Sequence, residues 1–287
     1  MMEASLAPPA TESQAAATPL LEAKDYAAAS VFQARNLLRE ARRQKGLSLR
    51  PVPAICLLDP DGDVVRRLAE KGAGGPSTSW ACYHTDLLEF THEGTRFGVV
   101  GRAVGAAFAV LVAEQLFASG CEFLVSVTSA GRLAAERTGP AFILIDRALR
   151  DEGTSYHYLP PTRFAEADSR LAAAVLAALR ATPLPVAMGG AWTTDAPFRE
   201  TETAISRARA AGLLAVEMEA AALYAFARAS HRPLICFAHL TNDLAQVSGD
   251  FEKGEDDGLS EVLAILAASA QAWRAIRDAD PVQPEQD

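Results

Sequence analysis

The chain has 287 residues, of which 49% are hydrophobic and 22% are charged, and its formal net charge is −9. That length permits one large α/β domain with a well-buried core, or two small domains. The acidic balance argues against a nucleic-acid partner, because contacts to phosphates need clustered Lys and Arg. One basic run, residues 37–50, is interpreted as a solvated helix face.

The two ends of the chain are predicted to be tails. Residues 1–25 are rich in Ala, Pro and Ser and lack the basic region of a secretory signal, so we expect a flexible segment. Residues 279–287 form a polar tail, which leaves 26–278 as the predicted domain. No apolar run reaches the roughly 18 residues that a membrane span needs. We therefore expect a cytoplasmic protein without a membrane partner.

The four cysteines are widely separated, with no CxxC pair and no histidine at metal-ligand spacing. Cys56, Cys121 and Cys236 lie in or beside apolar runs, which favours buried, reduced thiols. Neither a disulfide nor a metal site is expected from this pattern.

Apolar runs of strand length alternate with segments of helical period along the chain. The predicted strands are 53–58, 96–101, 123–128, 141–146, 185–194, 213–218 and 233–240. The predicted helices are 63–72, 106–120, 169–181, 200–212, 219–230 and 259–276. This alternation is typical of a single α/β domain with a largely parallel, covered sheet. The tight turn in 91–97 allows antiparallel edges, so we predict a mixed sheet flanked by helices.

Three carboxylates, Asp59, Asp61 and Asp63, follow the first predicted strand. A calcium loop would need glycine at its sixth position, where Val64 stands, so that interpretation fails. The start of a helix explains acids here, because they favour the positive end of the helix dipole. A helix start does not require three of them, and ligands in α/β sheets bind at the carboxyl ends of strands.

Further candidates stand at the ends of later strands. Glu217 and Glu219 flank Met218 where a short buried strand gives way to a helix. These carboxylates could accept hydrogen bonds from sugar hydroxyls, or could be solvated acids at a helix start. Asp243 ends the most apolar strand; it is a candidate proton donor, and capping of the next turn is the equal alternative.

Taken in order, these segments resemble the nucleoside phosphorylase superfamily, which includes purine nucleoside and uridine phosphorylases and methylthioadenosine/adenosylhomocysteine nucleosidases. The resemblance covers about residues 53–276. Its strongest motif is AVEMEAAALYAFA, and it is accompanied by TSAGRL, TTDAPFRE and LTND. It implies a mixed, partly barrel-like sheet and a homo-oligomer, from dimer to hexamer, in which a neighbour often completes each site.

The resemblance also implies roles for single residues. Glu219 would hold the ribose hydroxyls, with Met218 against the sugar and Glu217 beside them. Asp243 would protonate a purine base, although a shift of one residue puts Asn242 there, as in a uridine-type site. The remaining implied substrate-binding residues are Ser129 and Gly131 near the nucleophile, and Thr194 and Phe198 beside the base.

The departures from the family pattern predict the reaction type. Gly62 and Ser126 stand where phosphorylases have phosphate-binding arginines. The family's third phosphate-binding arginine would fall near Tyr83 and His84, so this cation is missing as well. Phosphate would be repelled by the three nearby carboxylates. Asp63 matches the glutamate with which the nucleosidase branch activates water. We therefore predict hydrolysis of a purine-type nucleoside, with Asp63 as general base and Asp243 as general acid, and with no metal or organic cofactor.

Two alternatives stay open at this point. The first is a phosphorylase with an atypical phosphate site built from Arg102, Arg132 and backbone groups, in which phosphate is a co-substrate. The second is a non-catalytic nucleoside-binding protein, which would have no need of a proton donor such as Asp243.

Overall fold

The computed structural model describes residues 18–22, 24–133, 141–244, 250–251 and 253–279. Most of both predicted tails therefore lies outside the described residues. The strands are β1 Ile55–Asp59, β2 Gly74–Pro76, β3 Leu88–His92, β4 Thr95–Gly101, β5 Phe123–Arg132, β6 Phe142–Asp151, β7 Phe164–Glu166, β8 Val186–Thr194, β9 Leu213–Glu217 and β10 Leu234–Asn242. The helices are α1 Ala34–Lys45, α2 Asp63–Glu70, α3 Ala106–Ala118, α4 Ser169–Arg180, α5 Glu202–Ala210, α6 Ala220–Ser230 and α7 Leu259–Ala279.

The described strands form one mixed sheet that closes on itself at β5. This strand pairs in parallel with β1 and β10, and its last residues, Gly131 and Arg132, pair antiparallel with β9. The sheet runs from β10 through β6, β8 and β9 back to β5, while β1, β4, β3 and β2 extend outward from β5. The predicted single-domain, barrel-like mixed sheet is confirmed, and the β3–β4 hairpin supplies the predicted antiparallel edge.

The central strands are apolar on both faces because helices cover both sides of the sheet. In β5, Leu124 joins the core beneath α3 and α6, whereas Phe123 and Val125 join the core beneath α4 and α7. The Phe123 ring stacks on Trp273 of α7, with ring centroids 5.3 Å apart. Alternate side chains of one strand thus anchor opposite helix layers.

Two of the strands are longer than their apolar runs predict. β5 continues to Arg132 and β6 to Asp151, because pairing with β9 and β8 sustains the ladder past the last apolar residue. The short strands β2 and β7 carry no strand-length apolar run, and their pairing with β3 and β6 alone defines them.

All four cysteines are buried and free. Among the described residues, no helix combines the length and the apolar character that crossing a membrane requires.

Candidate active site

Register brings the strand ends that carry the predicted residues to one edge of the sheet. Asp59 at the end of β1 lies opposite Gly101 of β4, and Ser129 of β5 lies opposite His239 of β10. Gly131 pairs with both Asn242 and Val216, so the ends of β10 and β9 meet there. The end of β9 presents Glu217 beside this junction.

Asp59 starts α2 and is not free to act on a ligand. Its carboxylate is buried and accepts hydrogen bonds from the backbone N–H groups of Gly62 (3.2 Å) and Val65 (3.0 Å). Burial, opposed by these hydrogen bonds and reinforced by the charges of Asp61 and Asp63, raises the pKa of Asp59 to about 7. The helix-start interpretation of the acid cluster therefore holds for Asp59.

The other two acids of the cluster share one lysine. Asp61 accepts a hydrogen bond from the backbone N–H of Ser129 at 2.8 Å, and its Oδ2 lies 3.3 Å from Nζ of Lys253. Asp63 also binds Lys253 and accepts a hydrogen bond from Arg66 at 3.1 Å. Partial burial alone would raise the pKa of Asp63, but the bonds from Lys253 and Arg66 outweigh it and lower the pKa below its ordinary value.

Lys253 belongs to a segment that we call the return loop, defined as the described residues from 250 to 258. The loop crosses α2: Asp257 binds Arg66 at 2.5 Å and Arg67 at 2.7 Å, and Asp256 binds Lys71 at 2.5 Å. Asp256 and Asp257 have left-handed backbone angles, with φ of 50° and 57°. Such angles are uncommon for residues with a Cβ, so these ion pairs hold a strained loop in place.

Glu219 and Glu217 have different surroundings although only Met218 separates them. Glu217 is a cap of α6: it accepts a hydrogen bond from Thr193, and its second oxygen accepts the backbone N–H groups of Glu219 and Ala220, both at 2.7 Å. Burial raises its pKa. Met218 is half-buried between the two acids.

Glu219 keeps one oxygen unused. Oε1 accepts the backbone N–H of Gly105 at 2.7 Å, while the buried Oε2 has no hydrogen-bond partner within the described part of the chain. Burial first, and then the charge of Glu217, raise the pKa of Glu219 to about 8. A buried, unsatisfied carboxylate oxygen is costly and is expected where a ligand supplies the missing donor.

The residues predicted to contact a base divide into buried and exposed ones. Thr194 is buried, and its hydroxyl accepts the backbone N–H of Ala196 at 3.2 Å. Phe198 lies in a 3₁₀ turn and is fully exposed, so it touches none of the other candidates. Its role beside a base stays a prediction.

Asp243 lies at the end of β10, next to Asn242. One of its carboxylate oxygens is 3.5 Å from Nε of Arg132, and its backbone N–H donates to both oxygens of Asp250 in the return loop. Asn242 is turned to local backbone, because its side-chain oxygen accepts the N–H of Leu244 at 3.0 Å. Asp243 is a quarter exposed, and its role as proton donor stays a prediction.

Arg102 lies over Gly62, the position at which the phosphorylase pattern has an arginine. A Cβ added at residue 62 would come within 2.7 Å of Cγ of Arg102, so only glycine leaves room for this side chain. Arg102 itself has a left-handed φ of 65° and donates its backbone N–H to the carbonyl of Asp59 at 3.0 Å. Its guanidinium forms no ion pair with any residue that the structure describes.

Sequence reasoning missed Lys253, which follows a polar stretch with no apolar strand. It assigned no role to Thr193, although this residue opens the TTDAPFRE segment, and it named Arg102 only for the alternative phosphate site. The signal for Lys253 was indirect: three close carboxylates need a nearby cation to be tolerated.

Comparisons with known proteins agree with the fold. A family model described as the phosphorylase superfamily matches residues 54–277. The chain is 28% identical over 193 residues to a guanosine phosphorylase of Halorubrum lacusprofundi, covering 67% of this chain and 77% of that protein. The chain therefore belongs to the phosphorylase superfamily, whose members cleave the glycosidic bonds of nucleosides with water or with phosphate.

Solved structures share the fold. AMP nucleosidase from Bacteroides thetaiotaomicron superposes with a TM-score of 0.67 at 18% identity, over 86% of this chain and all of that one. Uridine phosphorylase from Vibrio fischeri gives a TM-score of 0.63 at 18% identity, over 80% of this chain and 93% of that one.

Proposed function

We propose that the protein hydrolyses the N-glycosidic bond of a purine-type nucleoside. Glu219 holds the ribose hydroxyls, Asp243 protonates the leaving base, and water activated by Asp63 attacks the anomeric carbon. The bond to the base breaks with its electron pair, the base takes the proton of Asp243, and the oxygen of water joins the sugar carbon. Asp63 takes the proton that water loses, so the reaction balances without a cofactor.

The observation that carries the proposal is the hydrogen bond from the Ser129 backbone to Asp61. The family resemblance places Ser129 beside the nucleophile, and a phosphate there would accept backbone N–H groups. In this protein a carboxylate of the chain already accepts that N–H, at 2.8 Å. A second anion would have to displace Asp61 and approach Asp63, whereas neutral water would not be repelled.

A panel of nucleosides tests the proposal, with release of the free base measured in phosphate-free buffer. We expect turnover of at least one purine nucleoside and none that depends on added phosphate. Absence of turnover on every nucleoside, with or without phosphate, would favour the non-catalytic binding protein instead.

Phosphorolysis is the second candidate, and Arg102 favours it. Its guanidinium lies over Gly62 and carries a positive charge to the place where phosphorylases have an arginine. The 28% identical guanosine phosphorylase supports the same reaction. The substitution Arg102→Met separates the two: it should leave hydrolysis within a few-fold of wild type, but should abolish a phosphate-dependent reaction by removing its cation.

We also propose a homo-oligomer. Val31, Phe32 and Phe198 are 98%, 75% and 100% exposed, and large apolar side chains are commonly buried by association. Sedimentation analysis should give a mass of at least two chains, and a monomer at micromolar concentration would contradict the proposal.

A further inference from the structure

The ammonium of Lys253 lies against Asp63, the proposed base, and against its neighbour Asp61. It is 3.3 Å from Asp61 and in direct contact with Asp63, and its side chain is only 17% exposed. Partial removal of an ammonium from water costs free energy, and the attraction of two nearby carboxylates offsets this cost. The arrangement costs more than a surface ion pair and holds two acids side by side that would otherwise repel each other.

Anchoring of the return loop does not depend on Lys253. The loop is tied to α2 through Asp257, which binds Arg66 and Arg67, and through Asp256, which binds Lys71. At its far end, Gly258 packs against His239, since a Cβ there would come within 2.9 Å of the imidazole. Removal of the Lys253 charge therefore leaves the loop its other anchors.

Lys253 also connects the acids to the nucleophile position. The oxygen of Asp61 that faces Lys253 is the one that accepts the Ser129 N–H, so one carboxylate oxygen bridges the loop and the end of β5. The lysine thereby fixes the distance between Ser129 and the acid pair.

We propose that Lys253 is a positioning residue that holds Asp61 and Asp63 side by side, so that Asp63 can accept a proton from water. This inference rests on the proposed function for the identity of the reaction. It adds a residue outside the family motifs, on a loop that the sequence did not assign to the site.

The charged groups around Asp61 and Asp63 determine how the effect of removing the Lys253 charge is interpreted. Asp63 faces Arg66 and Asp257, and Asp61 faces Glu219, while His239 lies near Lys253 with a pKa lowered to about 4 by burial and the lysine charge. The other charged neighbours are Asp59, Arg66, Arg102, Asp257, Glu219 and Glu261, whereas His239 loses the pKa-lowering effect of the lysine charge in Lys253→Met.

The test compares Lys253→Met with Lys253→Arg and with Lys71→Met as a matched control. Methionine keeps the length but removes the charge, so Asp63 should hold its proton more tightly. The acid limb of kcat/KM should move up by about one pH unit or more, with kcat falling more than KM changes. Lys253→Arg should return the acid limb to its wild-type position. Lys71→Met removes a cation that binds the return loop but lies away from Asp61 and Asp63, and it should leave the acid limb unmoved.

The inference fails if the limb of Lys253→Met coincides with wild type or if Lys71→Met moves it equally. The assay uses whichever co-substrate, water or phosphate, supports turnover. A shifted acid limb together with phosphate-dependent turnover would contradict the proposed hydrolysis but support the role of Lys253. Phosphate-free turnover with an unshifted acid limb would contradict the role of Lys253 but support the proposed hydrolysis. If no nucleoside is cleaved, carbon-detected NMR of labelled aspartates applies the same criterion: the titration of Asp63 must move upward in Lys253→Met.

Discussion

Glu219 has the two properties that a sugar-binding carboxylate needs. One oxygen is fixed by the Gly105 N–H, and the other is buried without a partner among the described residues. Because burial raises its pKa to about 8, this acid is largely protonated near neutral pH unless a ligand donates hydrogen bonds to it. Two ribose hydroxyls that donate to the ionised form would draw the pKa back down, so binding and proton release are coupled.

Glu219→Gln should therefore weaken binding and turnover together. The loss of a charged acceptor costs about 1.5–3 kcal/mol, which is roughly 10- to 150-fold in kcat/KM. In the wild type, KM should fall as pH rises through about 8, and this dependence should vanish in Glu219→Gln. Steady-state kinetics between pH 6 and 9 check this, and a variant that keeps the wild-type pH dependence of KM would remove Glu219 from the sugar site.

Asp63→Asn separates catalysis from helix capping. Asp59 already caps α2, and asparagine at residue 63 keeps the shape of the side chain. The ion pairs lost are partly exposed, so the free energy of unfolding should fall by no more than about 1 kcal/mol. If Asp63 activates water, kcat should fall by about 100-fold or more.

The control for Asp63 is Glu70→Gln, which removes another carboxylate paired with Arg66 on the same helix. Its kcat should stay at the wild-type value. An Asp63→Asn enzyme with unchanged kcat would make the acid structural and leave Asp61 as the carboxylate next to the nucleophile.

Helix α6 depends on Glu217, the acid that caps it. Removal of this carboxylate by Glu217→Ala leaves the buried N–H groups of Glu219 and Ala220 and the hydroxyl of Thr193 without their acceptor. The free energy of unfolding should fall by about 2–3 kcal/mol or more, measured by urea denaturation. Asp168→Ala, which removes the single cap bond of α4, should cost about 1 kcal/mol. Equal losses in the two variants would contradict the capping role of Glu217.

The sequence predicted the helices and strands that follow from a local apolar pattern, and it missed the features that depend on contacts between distant parts of the chain. Strands such as β10 and helices such as α7 follow from apolar period, and the end of α2 and the start of α6 were placed within two residues. The family resemblance implied a partly barrel-like sheet, but the residues that close it could not be predicted, because the pairing of Gly131 with Val216 leaves no periodic signature. The contact of Lys253 with α2 spans 190 positions of the chain and was invisible for the same reason.

Buried acids give the whole fold a pH dependence. The pKa of Asp59 is raised to about 7, so the folded state holds a proton that the unfolded chain loses near pH 4. The stabilisation is present in full below pH 4 and is lost as pH rises through about 7. Relative to Asp59→Asn, the wild type should therefore lose stability at up to roughly 1.4 kcal/mol per pH unit between pH 4 and 7.

Urea unfolding of both proteins at pH 5, 6, 7 and 8 measures this difference. The titration of His239, whose lowered pKa has the opposite effect below pH 6.5, occurs in both proteins and cancels. A difference that stays constant across this range would mean that Asp59 is ionised in the fold throughout.

The central claim is that water, and not phosphate, attacks the sugar. The most direct measurement is the identity of the sugar product when a cleaved nucleoside is turned over in saturating phosphate. Because Asp61 occupies the Ser129 N–H and Asp63 lies beside it, we predict free pentose in amounts equal to the base, at a rate that phosphate does not change. A pentose 1-phosphate product, formed at a rate that rises with phosphate, would contradict the account.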